Sequence, residues 1–298
     1  MKLCFWMLGE PEWTIEQIAG HAKEWGYDGV DLRAARGDDA GRIADLSLVS
    51  TDEQLERIRT AFERAGVEVS SLLCSPLDPE LPDSGSWTLF EDEIARHAEL
   101  ARKVGAPRLM ISPEQAFPPA ASYDEYLDRV WQSVARGLDG IPEVTSVVIQ
   151  NHIGRANAGE TLASVERAGD PRFGVEFSCD HVLVMQEDMF ALIDRYAQHI
   201  HKICFADRQV VRDKEFGRFD GRYFHVRFEL AKYGTGIVQA QRMFTELAAR
   251  GFSGWVGYKC EPASLPGQRM SASADLMAGF PDFVRGLGAS ADAAPVEA

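Results

Sequence analysis

Polar side chains gather at the ends of four apolar runs, and their types suit proton transfer. The runs are Thr145 to His152 (T-S-V-V-I-Q-N-H), Arg172 to His181 (R-F-G-V-E-F-S-C-D-H), His201 to Arg208 (H-K-I-C-F-A-D-R) and Trp255 to Pro262 (W-V-G-Y-K-C-E-P). In a parallel strand packed on both faces only the carboxyl end reaches solvent, so polar groups collected there mark a site. Alternation along a strand puts Val148, Gln150 and His152 on one face, together with Glu176 and Ser178, Lys202, Cys204 and Ala206, and Gly257, Lys259 and Glu261. The opposite face is nearly all apolar, which helices could cover.

Each of these groups has a packing explanation beside the chemical one. Lys259 reads as a catalytic cation or Schiff-base amine, because a desolvated lysine can lose its proton and turn nucleophilic, or as a structural partner of Glu261 or Glu176. Cys204 reads as a thiolate acid/base or nucleophile, or as a small buried hydrophobe. Glu176 and Lys202 point inward one layer below Ser178 and Cys204, which predicts a buried ion pair. His201 is expected to face outward, His199 to fall near a helix end and His225 in a loop. Trp6, Trp13, Trp87 and Phe117 suit either an aromatic wall at the mouth of a site or the core.

Alternating strands and helices must position these side chains. Lys2 to Leu8 reads as a strand, and Thr14-Ile-Glu-Gln17 as a capping box opening a helix to about Trp25. Gly29 to Arg33 is the second strand, Thr51-Asp-Glu-Gln54 caps a helix to Ala65, and Val67 to Cys74 is the third strand. A helix from about Leu89 to Val104, a strand over Pro107 to Ser112 and a helix capped by Ser122-Tyr-Asp-Glu125 complete four units. Helices near Glu160 to Arg167, Asp188 to Gln198, Val238 to Arg250 and Ala272 to Arg285 separate and follow the four runs quoted above. Strict alternation over roughly 250 residues, without a change of composition, predicts a single-domain α/β protein, a closed (β/α)8 TIM barrel spanning residues 1–288. An open doubly wound sheet would want a glycine-rich turn after its first strand, and Leu8-Gly9-Glu10-Pro11 lacks that spacing. Residues 289–298 (A-S-A-D-A-A-P-V-E-A) are small and polar and are expected to form a disordered tail. The charged and aromatic stretch Val210 to Tyr233 reads as a long loop at the site face, a lid, an oligomer contact or a solvated surface.

Composition narrows the partners. A formal net charge of −15 over 298 residues argues against a nucleic-acid-binding face, and 45% hydrophobic residues suffice for a substantial core. No signal-like opening or membrane-length apolar run is present, so a cytoplasmic location is expected. Five scattered cysteines without C-x-x-C spacing suggest neither a disulfide framework nor a structural zinc site.

Together the runs resemble the xylose isomerase-like TIM barrels, the sugar phosphate isomerase/epimerase superfamily. Gly26-Tyr-Asp-Gly-Val-Asp-Leu32 is similar to that family's second strand, Gln150-Asn-His152 to its fifth, Ser178-Cys-Asp-His181 to its sixth, Ile203-Cys-Phe-Ala-Asp207 to its seventh and Gly251 to Pro262 to its eighth. The resemblance implies a divalent ion held by Glu, Asp, His and Glu, but the matching positions here are Gln150, Ser178, Cys204 and Lys259. An amide, a hydroxyl, a thiol and an ammonium suit a hard cation poorly, so no metal and no other cofactor is expected, with manganese, magnesium or zinc as the alternative through shifted ligands at His152, Asp180, His181 and Glu261.

These readings converge on a metal-independent enzyme that moves a proton next to a carbonyl in a small polyhydroxylated or hydroxy-carbonyl substrate, an isomerase, epimerase or related lyase. Lys259, Cys204, His152, His181 and Glu261 are its expected catalytic groups, and Gln150, Asn151, Ser178, Asp180, Asp207 and Arg208 its substrate-binding ones. A non-catalytic barrel that binds a sugar-like ligand or a partner protein is the alternative, and a metal isomerase/epimerase with shifted ligands is another. A homo-oligomer is compatible with the resemblance.

Overall fold

In a computed structural model, the protein is described over residues 1–6, 13–34, 46, 48–74, 84–111, 122–153, 157–213, 225–259 and 270–291. The side chains of residues 5, 84–86, 212–213, 225–227, 270–273 and 288–291 are outside that description. Glu261, Cys260 and Phe117 therefore lie outside the described residues, as do the tip of the Val210 to Tyr233 stretch and residues 292–298.

Eight parallel strands close into a barrel: β1 (Lys2–Trp6), β2 (Gly29–Arg33), β3 (Glu68–Leu73), β4 (Arg108–Ile111), β5 (Ser146–Gln150), β6 (Phe173–Ser178), β7 (Ile200–Phe205) and, after a hairpin, β10 (Trp255–Tyr258). The expected TIM barrel is the observed fold. Helices α1 (Ile15–Glu24), α2 (Asp52–Ala65), α3 (Ser84–Val104), α4 (Tyr123–Gly137), α5 (Ala158–Ala168), α7 (Met189–Tyr196), α8 (Ala240–Ala249) and α9 (Met270–Ala291) connect or follow the strands. Thr14, Ser122 and Thr51 each form the full capping box expected of them, satisfying backbone N–H groups that a helix end leaves open. The main core lies between strands and helices, built from residues such as Val30, Leu32, Val147, Ile149, Val175, Phe177, Ile203 and Phe205. A separate apolar cluster of Trp6, Met110 and Val148 stands apart from it.

Register fixes which interior side chains share a level. Gln150 pairs with Glu176 and Glu176 with Lys202; two residues on, Ser178 pairs with Cys204, Cys204 with Gly257 and Gly257 with Cys4. Trp6 pairs with Asp31 and Asp31 with Ser71. Polar residues of β1, β2, β3, β5, β6 and β7 thus line one enclosed space.

Four local features differ from the expected ones. A bulge between β6 and β7 pairs Val175 with Ile200 but Glu176 with Lys202, leaving His201 as the extra residue. His201 therefore does not face outward: its Nδ1 lies 3.2 Å from Ser146 Oγ, which also accepts a hydrogen bond from Arg108 Nε. The run Arg172 to His181 is strand only to Ser178; Cys179–Val184 forms a short helix, α6, that carries Asp180 and His181. Part of the expected long loop is an antiparallel hairpin, β8 (Asp207–Asp213) with β9 (His225–Ala231). At the end of the chain, α9 continues to Ala291, into the stretch expected to form the tail.

Gly174 lies where a Cβ would overlap the His201 ring. Because His201 is held by Ser146 and backed by the bulge, it cannot simply swing away. Gly174→Ala is expected to destabilise the fold by about 1–3 kcal/mol, read from urea denaturation.

Candidate active site

The barrel interior is organised around Lys202, which is fully buried. Its Nζ donates to Asp31 Oδ2 at 2.5 Å and to Ser71 Oγ at 3.1 Å. Asp31 also accepts from the hydroxyls of Ser70 and Ser71 and, weakly, from the Cys4 thiol. Gly257 leaves room for this group, since a Cβ there would meet Asp31, Cys4 and Lys202 within 3.3–3.5 Å. Glu176 Oε1 stands 2.9 Å from Lys202 Nζ in an ion pair, while Oε2 has no hydrogen bond. The expected Glu176–Lys202 pair exists, but Lys202's hydrogen-bonded carboxylate is Asp31. Burial pushes the Glu176 carboxyl above the usual carboxylate range, against the pull of Lys202. Burial also works against the Lys202 ammonium, but Asp31 and Glu176 outweigh it and hold its pKa above the ordinary value.

Nearer the strand ends sit the residues the sequence singles out. The buried Lys259 continues the ladder past β10, its backbone N–H donating to Phe205 O at 2.9 Å, and its Nζ lies 5.5 Å from the centre of the Trp6 ring. Its charge opposes the upward shifts of the Glu176 carboxyl and the Cys204 thiol and adds to the downward shift of His181. Cys204 is fully buried, and desolvation raises its thiol well above the ordinary range, so it stands as a thiol. Gln150 is buried with its Nε2 lacking a hydrogen-bond partner.

Several expected substrate contacts are taken up by the protein itself. Asn151 accepts from the Ser178 backbone N–H at 2.7 Å and donates to the Ser178 carbonyl at 3.2 Å, tying the ends of β5 and β6 together. Ser178 Oγ donates to Asp180 Oδ1 at 3.1 Å, and Arg208 Nε and Nη2 both lie 2.8 Å from Asp180 Oδ2. Asp207 accepts from the backbone N–H groups of Arg208, Gly236 and Val238, and a Cβ at Gly236 would strike its carboxylate. These residues position the site and anchor the hairpin.

His181 is different. Its Nδ1 is 3.1 Å from the Asn151 carbonyl, which can only accept, so Nδ1 carries the hydrogen and Nε2 is left as an acceptor, 3.7 Å from Asp180 Oδ2. Burial lowers its pKa to about 4, against the opposing pull of Asp180, leaving the ring neutral at pH 7. The half-buried His152 packs edge-on against it, ring centres 4.6 Å apart. Among the aromatic residues picked from sequence, Trp6 meets the site. Trp13 packs on His21 and Trp25, and Trp87 on Phe90 and Tyr126. Asp31, Ser70 and Ser71 are the polar groups sequence reasoning missed, although Asp31 breaks the apolar run of its strand as visibly as Glu176 breaks its own.

The xylose isomerase-like TIM barrel profile matches residues 20–279, and the chain belongs to that family. No curated protein matches the sequence. Among solved structures, D-psicose 3-epimerase with D-tagatose from Clostridium cellulolyticum superposes with a TM-score of 0.73 at 12% identity, over 96% of this chain and 99% of the other. L-ribulose 3-epimerase gives 0.72 at 12% identity, over 100% and 99%. The IolI protein with a bound zinc atom gives 0.72 at 15% identity, over 96% and 99%. The zinc-bound neighbour contradicts the expected absence of a cofactor, so a divalent metal belongs among the ligands to be tested. The donors at Gln150, Ser178, Cys204 and Lys259 do not fit one: an amide, a hydroxyl engaged with Asp180, a protonated thiol and a lysine. Among the described residues, no group of three or more His, Cys, Asp or Glu side chains is placed to hold an ion. Nor, among them, is any helix long and apolar enough to cross a membrane.

Lys202→Met leaves Asp31 and Glu176 buried without their cation and is expected to destabilise the protein by about 3–5 kcal/mol in urea denaturation. Folding also depresses His181 and His201 from 6.5 to about 4, through burial in both cases. Between those values the unfolded chain binds the extra protons, so their contribution is complete above about pH 6.5 and is lost as pH falls toward 4. His181→Gln should flatten the decline in stability between pH 6.5 and 4, measured by urea denaturation at each pH.

Proposed function

We propose that the protein is a sugar isomerase or epimerase that moves a proton next to the carbonyl of a small polyhydroxylated substrate. The observation that carries this reading is Lys259, an amine buried just past the end of β10 beside the Trp6 ring. Family membership and the epimerase neighbours support the reaction class. The ammonium polarises the substrate carbonyl and stabilises the enediolate oxygen that forms when the neighbouring carbon loses its proton. Neutral His181 offers Nε2 to a substrate hydroxyl. Trp6 gives the sugar's apolar face a surface beside Lys259.

The zinc in the IolI neighbour makes metal content part of the test. Stoichiometric zinc or manganese in protein purified without chelators, with activity lost on EDTA treatment, would direct attention to His152, Asp180, His181 and Glu261 as ligands. Lys259→Ala is expected to fold normally and lose about 100-fold or more in kcat/KM on a panel of D-psicose, D-fructose, D-tagatose and L-ribulose. Full turnover by this variant would overturn the role given to Lys259. Binding of a sugar by the wild type without turnover would favour the non-catalytic barrel.

A further inference from the structure

We propose that Glu176 is the group that takes the proton from the carbon next to the substrate carbonyl and returns it to the adjoining carbon. This assignment rests on the isomerase reading of the same site. It starts from the hydrogen bonds of the other interior carboxylates. Asp31 is held by Ser70, Ser71 and Lys202, with Cys4 alongside. Asp180 is held by Ser178 and Arg208, and Asp207 by three backbone N–H groups. Glu176 is the carboxylate among the described buried side chains whose Oε2 has no hydrogen bond, while its Oε1 pairs with Lys202.

A partner serving Lys202 alone would not leave its second oxygen unanswered. A buried polar group without hydrogen bonds is destabilising, and Lys202 already has Asp31 and Ser71. Such a group is retained where function requires it. Its place in the barrel fits that role. Glu176 is level with Gln150, whose Nε2 is also buried without a hydrogen-bond partner. Two adjacent strands therefore present an unpartnered donor, Gln150 Nε2, and an acceptor without a hydrogen bond, Glu176 Oε2, at one level, the complement of an oxygen next to a C–H bond. Above them the lining is small: Ser178, Cys204 and Gly257. Lys259 lies close enough for its charge to act on Glu176.

The step balances without an oxidant or reductant. A carboxylate oxygen of Glu176 accepts the proton as the C–H bond breaks, and the electron pair moves through the new C=C bond to the carbonyl oxygen. The resulting enediolate is stabilised by Lys259, and one of its oxygens accepts from Gln150 Nε2. The hydroxyl proton passes between the two enediolate oxygens. Glu176 then protonates the adjoining carbon, so the carbonyl re-forms one position along. A single carboxyl serving neighbouring carbons on one side favours interconversion of an α-hydroxy ketone and an α-hydroxy aldehyde.

The test compares Glu176→Gln, Glu176→Asp and Lys202→Met in the full-length protein, using the four-ketose panel with and without added zinc or manganese. Glu176→Gln is expected to keep a melting temperature within about 2 °C of the wild type. Its kcat should fall about 100-fold or more, with KM changed only a few-fold. Glu176→Asp, which keeps the carboxyl, should recover part of the lost kcat. A Glu176→Gln protein that unfolds, or melts as early as Lys202→Met, would overturn the proposal in favour of a structural ion pair. Wild-type turnover that Glu176→Gln retains overturns the assignment alone. No wild-type turnover under any of these conditions overturns the isomerase reading and this assignment with it.

Discussion

The contact between Lys202 and Asp31 is the constraint on which the interior depends. A barrel of eight strands encloses a space too narrow for bulk water, so every ionised group placed there must be answered by the protein. Lys202 from β7 reaches across to Asp31 on β2, and Ser70 and Ser71 on β3 donate their hydroxyls to the same carboxylate. Strands far apart in sequence are thereby joined through one ammonium. Gly257 on β10 faces the crossing, where a Cβ would lie 3.3 Å from Asp31 Oδ2 and 3.5 Å from Lys202 Cε, leaving no room for a larger side chain.

The bulge between β6 and β7 shows how that placement is reached. One extra residue, His201, lets Glu176 and Lys202 share a level although Val175 pairs with Ile200. Simple alternation assigns His201 to the outer face because it presumes an uninterrupted ladder. The bulge instead directs His201 to Ser146 and Arg108, and Gly174 provides the clearance. Local irregularity and interior chemistry are therefore linked through packing.

The fold was legible because its signals are local and repeated: capping boxes at Thr14, Thr51 and Ser122, and apolar runs such as Gly29 to Arg33, whose boundaries coincide with β2. The inward direction of Gln150, Glu176, Ser178, Lys202 and Cys204 followed from alternation alone. What escaped depends on long-range contacts. Asp31 becomes Lys202's partner only when β2 and β7 close around the same space, 171 positions apart in sequence. Asn151 and Asp207 carry side chains suited to a sugar hydroxyl, yet their hydrogen bonds go to the backbone. Sequence gives the chemistry a side chain can perform, while neighbours decide whether it is available.

Charge inside the barrel also limits what can enter it. Asp31 and Glu176 face three cations, Lys202, Lys259 and Arg108, while Asp180 and Arg208 form a separate matched pair. Protonating Glu176 adds to the positive excess, and the negative charge an enediolate develops is of the sign that restores balance. A divalent ion in the same space would instead place two more positive charges near Lys259. Zinc held as in the IolI neighbour would therefore require other donors, a neutral Lys259 or an accompanying anion.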